Sequence, residues 1–213
     1  MDVLHEVLRC GIVPVIVLDD AQDAAPVATA LRAGGITVME VTFRTDAAEQ
    51  AIANVASQVS DMLIGAGTVL NVGQMERAVG AGAKFIVSPG SNEELIRHAV
   101  ASGIPIFPGV VTPSEIMMGL KHGLEIFKFF PAELSGGLKA IKALSPVFPN
   151  IKFIPTGGIN EENMRDYLEN PSTAAIGGSW MATSKMIKNG EYEKITRKSA
   201  DAVDILNSVR KEV

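Results

Sequence analysis

"ITVMEVTFRTDAAEQAIANVASQVSDMLIGAGTV", residues 36–69, carries the pattern on which the fold turns. A run rich in β-branched residues, ITVMEVTF (36–43), is followed by an amphipathic stretch, DAAEQAIANVASQV (46–59), and then by a second apolar run, MLIGAGTV (62–69). Strand, helix, strand in that order implies two parallel strands joined by a crossover helix.

The alternation continues in both directions. Upstream, IVPVIVL (12–18) precedes the helical DAQDAAPVATALRAGG (20–35). Downstream come KFIVSP (84–89), IPIFPG (104–109), EIFKFF (125–130), IKFIPT (151–156) and TAAIGG (173–178). Eight strand candidates without a linker, a low-complexity segment or a break in composition imply one domain over residues 1–213, a compact (β/α)8 TIM barrel with short loops. A doubly wound open sheet is the alternative, though it usually needs fewer strands. VLHEVLR (3–9) reads as an extra N-terminal helix that covers the bottom of the barrel, and the tail from Glu191 onward as the last helix.

Composition narrows the function classes. Hydrophobic residues make up 47% of the chain and aromatics only 5%, so Ala, Val, Ile, Leu and Met must fill the core. A net charge of −5 without clustered Lys or Arg argues against a nucleic-acid groove or an anionic membrane surface. The single cysteine, Cys10, fits a reducing cytoplasm. MDVLHEVLRC lacks the apolar core of a signal peptide, and no run is long enough to span a bilayer. A cytoplasmic globular domain is expected.

Within EIFKFFPA (125–132), Lys128 interrupts an apolar strand. Barrel chemistry sits at the C-terminal strand ends, where alternate side chains face the interior. Lys84 and Lys152 stand at the starts of their strands, but Lys128 comes late in the sixth, sharing parity with Ile126 and Phe130. Phe127 and Phe129 are left for the helix layer. Burial among apolar groups favours the uncharged amine that Schiff-base chemistry requires. A lysine snorkelling outward, or pairing for structure alone, is the competing reading.

The second strand strengthens the chemical one. Met39, Val41 and Phe43 form an apolar set, which turns Glu40 and Arg44 toward the interior or the mouth. A buried glutamate needs a partner or a task; here it could carry a proton for chemistry at Lys128. Arg44 could fork onto a substrate carboxylate. An ion pair of Glu40 with Lys128 or Arg44 is compatible with either view.

PTGGIN (155–160) and GGSW (177–180) end the seventh and eighth candidates, where barrels often hold phosphate on backbone N–H groups. Gly157, Gly158, Gly178 and Ser179 form the natural cradle; the competing reading is that the glycines serve only tight turns. Thr68 in GAGTV and Pro89 in SPG would line the mouth near Arg44. His5, His98 and His122 show no metal-ligand spacing, with the last two expected to face solvent; Cys10, Met117 and Met118 read as packing residues. Neither a P-loop nor a dinucleotide fingerprint is present.

EVTFRT, GAGTV, SPG, FKFFPAE, PTGGI and IGGSW, in this order and spacing, resemble the 2-keto-3-deoxy-6-phosphogluconate (KDPG) and 4-hydroxy-2-oxoglutarate (KHG) aldolases over nearly the whole chain. The resemblance implies a class I aldolase, usually a homotrimer, working without metal or organic cofactor on a phosphorylated sugar acid. It puts the Schiff-base lysine on Lys128 and the acid/base glutamate on Glu40. The pyruvate-carboxylate site falls on Arg44 and Thr68 with Pro89 beside it, Phe130 packs on the pyruvyl part, and Thr156 touches the substrate chain. The phosphate cradle falls on Gly157, Gly158, Gly178 and Ser179. Some relatives carry an arginine near the end of the first strand, where this chain reads Val17 and Leu18, so the distal contacts stay open. Competing readings are a 2-keto-3-deoxy-6-phosphogalactonate aldolase, a phosphate-binding isomerase or epimerase that would need no iminium lysine, and a non-catalytic binding barrel.

Overall fold

Parallel strands and helices alternate through the computed structural model, which describes residues 3–211. The expected last helix is seen as Tyr192–Lys211. Glu212 and Val213, at the end of that expected helix, lie outside the described residues, as do Met1 and Asp2.

Among the described residues nine short strands form: β1 Ile12–Ile16, β2 Val38–Thr42, β3 Leu63–Gly67, β4 Ile86–Val87, β5 Ile106–Phe107, β6 Gly109–Val110, β7 Ile126–Phe129, β8 Lys152–Pro155 and β9 Ile176–Gly178. Six of them make a curled, wholly parallel sheet in the order β5-β4-β3-β2-β1-β9, and β6-β7-β8 make a second parallel sheet. The expected fifth strand is therefore divided. Pro108 has no N–H to give a ladder. β5 pairs with β4 before it and β6 with β7 after it, while the Pro108 carbonyl accepts from Lys128 N–H at 3.0 Å. On the other side, isolated bridges join Phe153 to Thr173 and Thr156 to Gly177.

Helices occupy the connections, and local chemistry starts them. Asn71 and Asn92 cap the helices Val72–Gly80 and Glu93–Ala101 by accepting from Gln74 N–H at 2.9 Å and Leu95 N–H at 3.0 Å. Thr112 and Glu115 form a capping box ahead of Pro113–Lys121, with Pro113 where its missing N–H costs nothing. The helix Val3–Cys10 precedes β1, and its Glu6 accepts from Thr37 Oγ1 at 3.0 Å, just before β2 begins. No helix among the described residues is long and apolar enough to cross a membrane.

The alternation read in the strands positions the site. Phe127 and Phe129 are fully buried against the helix layer: a Cβ on Gly119 would overlap the Phe127 ring, and Phe129 meets Phe153 edge-on at 5.8 Å between centroids. Lys128 is thereby turned the other way. Two expectations need correction. Met117 is 62% exposed, since it lies on the outer face of its helix, whereas Met118 packs against the core. His122 is half-buried beside Glu93 rather than facing solvent, whereas His98, beside Glu76, keeps 37% of its side chain exposed, as expected. Cys10 is buried, its thiol donating to the Ile12 carbonyl at 3.2 Å.

Candidate active site

Lys128 on β7 and Glu40 on β2 are 88 residues apart in sequence, yet Nζ and Oε1 lie 3.4 Å from each other. Lys128 is 5% and Glu40 2% exposed. Two charges taken this far out of water are tolerated only with mutual compensation. Lys128 Nζ also lies 5.0 Å from the Phe130 ring centroid, over the aromatic face. Beside the pair is a small cavity of about 10 Å³, walled by Val13, Val15, Phe85, Val87, Phe107 and Ile154.

Adjoining that cavity, and sharing Val15 and Thr156 with it, is a cleft of about 160 Å³. Arg44, Phe130, Thr156, Gly157, Gly158, Gly178 and Ser179 line it, so seven of the residues singled out from sequence meet there. Arg44 is exposed and its Nε donates to Thr68 Oγ1 at 3.3 Å. Thr68 holds φ at 57°, the left-handed region that a threonine adopts only when its surroundings impose it. Pro89 lines neither space. It is half-buried, with its carbonyl packed where a Cβ on Gly109 would overlap it.

The glycine loop is tied down through its carbonyls. Ala132 N–H donates to the Thr156 carbonyl at 2.8 Å, Glu133 N–H to that of Gly157 at 3.1 Å, and Asn163 Nδ2 to that of Gly158 at 3.0 Å. The N–H groups of Gly158, Ile159 and Ser179 have no protein acceptor among the described residues, which leaves donors available to an anion. Gly157 and Gly158 have φ of 97° and 86°, so side chains there would be strained.

The family model for KDPG and KHG aldolase matches residues 4–198. The chain belongs to that family. Among the relatives of this aldolase-family chain, the KHG/KDPG aldolase of Escherichia coli (strain K12) is 46% identical over 201 residues, 94% of either chain. The 2-dehydro-3-deoxy-phosphogluconate aldolase of Dickeya dadantii is 45% identical over 93% of this chain and 94% of its own. The KDPG aldolase of Legionella pneumophila, solved with pyruvate captured as a covalent carbinolamine, superposes with a TM-score of 0.91 at 45% identity, covering 94% of this chain and 97% of that one.

Several residues around the site of this family member escape sequence reasoning. Val15 lines the cleft together with Val17, one of the positions where some relatives carry an arginine, and the period-two pattern of the first strand is the signal that Val15 accompanies it. Glu133 accepts a hydrogen bond from Tyr167, which is 34 residues away on Met164–Leu168, and its stem packs against Gly158. Burial and this carboxylate together push the Tyr167 hydroxyl well above the ordinary tyrosine range. Nothing local in the sequence announces that contact.

Proposed function

We propose that this chain is a class I aldolase that cleaves KDPG to pyruvate and glyceraldehyde 3-phosphate, and KHG to pyruvate and glyoxylate. The observation that carries the reading is the buried Lys128–Glu40 pair at 3.4 Å, next to a cleft lined by the Arg44 cation and by backbone donors lacking a protein acceptor among the described residues.

Lys128 attacks the C2 ketone and forms a carbinolamine, whose loss of water gives an iminium. The iminium accepts the electron pair of the breaking C3–C4 bond, so the product is an enamine rather than a free carbanion. Glu40, directly or through a water, takes the C4 hydroxyl proton and later returns a proton to the enamine. Water then hydrolyses the iminium and releases pyruvate. Arg44, braced by Thr68, receives the carboxylate; Phe130 packs on the pyruvyl part and Thr156 on the substrate chain. Gly157, Gly158, Gly178 and Ser179 hold the phosphate. The electron sink is the iminium itself, so the reaction needs neither metal nor organic cofactor.

The reading includes a single-domain, closed eight-strand barrel. Its support is the segment 106–110, which pairs with both sheets, and the bridges between β8 and the β9 region. The helix Val3–Cys10 would cover the bottom of that barrel. A homotrimer in the cytoplasm completes the proposal, on the family resemblance and the free buried Cys10; sedimentation of the purified chain tests the trimer.

Borohydride reduction in the presence of pyruvate is expected to add one pyruvyl group to the peptide containing Lys128. An adduct on Lys84 or Lys152, or no adduct, overturns the assignment. Parallel assays on KDPG, KHG and the 2-keto-3-deoxy-6-phosphogalactonate isomer identify the preferred substrate. An isomerase, epimerase or binding barrel leaves the buried pair without a task.

A further inference from the structure

The strand β3 carries two glycines two residues apart, Gly65 and Gly67, and each leaves room for something different. A Cβ on Gly65 would strike the Phe85 ring. A Cβ on Gly67 would lie 2.7 Å from Glu40 Oε1, 2.9 Å from its Cδ and 3.3 Å from its Cγ. These are its three nearest neighbours, and all belong to one side chain. Gly67 does not have a positive φ, so its backbone would accept alanine. Its register partner is Thr42, two residues beyond Glu40 on β2, which is how the Glu40 side chain comes to lie across it.

We propose that Gly67 is a positioning residue: its missing side chain is the seat that lets Glu40 hold its carboxylate beside Lys128. The effect on catalysis rests on the reading of Glu40 as the proton carrier. A methyl group at this point needs the carboxylate to move, because Cβ contacts below 3.0 Å essentially do not occur. Proton transfer depends steeply on that distance, and a displacement of about 1 Å can cost on the order of a hundredfold in rate.

The test compares Gly67→Ala, Glu40→Gln and the double variant, following exchange of the pyruvate methyl protons in deuterated water and borohydride trapping. Gly67→Ala is expected to remain trappable while exchange falls by about 10- to 100-fold. In the Glu40→Gln background the same substitution is expected to change exchange less than about twofold, because the group it displaces no longer carries protons. Exchange within about twofold of the parent in Gly67→Ala, or an equal loss in both backgrounds, overturns the inference. Normal exchange in Glu40→Gln overturns the reading of Glu40 itself, a distinguishable failure. Thermal unfolding supplies a second readout: any loss caused by Gly67→Ala should disappear when Glu40 is shortened to Ala. Persistence of that loss would show that the methyl strikes something else.

Discussion

Lys128 and Lys152 sit on neighbouring strands, β7 and β8, whose ladder pairs Ile126 with Lys152 and Lys128 with Ile154. The same residue type, two positions apart in register, meets opposite surroundings. Lys152 opens its strand, is exposed, and donates to the Pro171 carbonyl at 2.6 Å. Lys128 is late in its strand, buried, and faces Glu40 and the Phe130 ring. A long side chain at a strand start reaches water by snorkelling; one turned into the interior cannot, and must be compensated where it lies. Position along the strand decides which lysine can react.

The strongest way to break this comparison is to remove the buried lysine. Lys128→Ala is expected to abolish pyruvate trapping and turnover. It also strands the Glu40 carboxylate, so stability should fall by about 3–5 kcal/mol in urea unfolding. Much of that loss should return in Lys128→Ala with Glu40→Gln. Retained trapping in Lys128→Ala would place the reactive amine elsewhere.

Glu40→Gln tests whether the partner of the buried lysine does more than balance charge. Trapping should survive, while cleavage falls by roughly 10²–10⁴-fold. A rate close to the parent's would reduce Glu40 to a counter-charge.

A third, smaller effect separates the chemical end from the recognition end. Ser179→Asp places a negative charge in the cleft and is expected to raise KM for KDPG about tenfold, equivalent to about 1.4 kcal/mol, with little change for KHG. Equal changes on both substrates would remove the phosphate from this loop. Substituting the glycines is a poorer probe, since a Cβ on Gly158 would meet Glu133 Cγ at 2.5 Å and one on Gly178 would overlap the Trp180 ring. Lys152→Ala should do least: unchanged kinetics and a stability change within about 0.5 kcal/mol. A marked kinetic loss there would erase the contrast between the two strand ends.

The strand periodicity made much of this legible. Parity alone separated Lys128 from Phe127 and Phe129, and Glu40 from Met39 and Val41, because side-chain alternation is a local property of an extended chain. The glycine-rich ends and Arg44 were readable from their places at strand ends. Non-local contacts were not. Glu133 and Tyr167, Gly67 and Glu40, and the burial of His122 against Glu93 depend on which elements become neighbours. Met117 shows the limit on helices, where a short apolar pair does not say which residue faces out. The division of the fifth strand at Pro108 was signalled by the proline, whose effect on pairing emerges only with both neighbouring strands in place.

The two peptide hydrogen bonds from Ala132 and Glu133 to the Thr156 and Gly157 carbonyls join the loop that follows Lys128 to the loop that ends β8. In mechanical terms the two loops are one body. Their donors are amides whose exchange with solvent requires the loops to part. An anion gripping the glycine loop would slow the isotope exchange of amides on the lysine loop, so a label on one segment reports occupancy of the other.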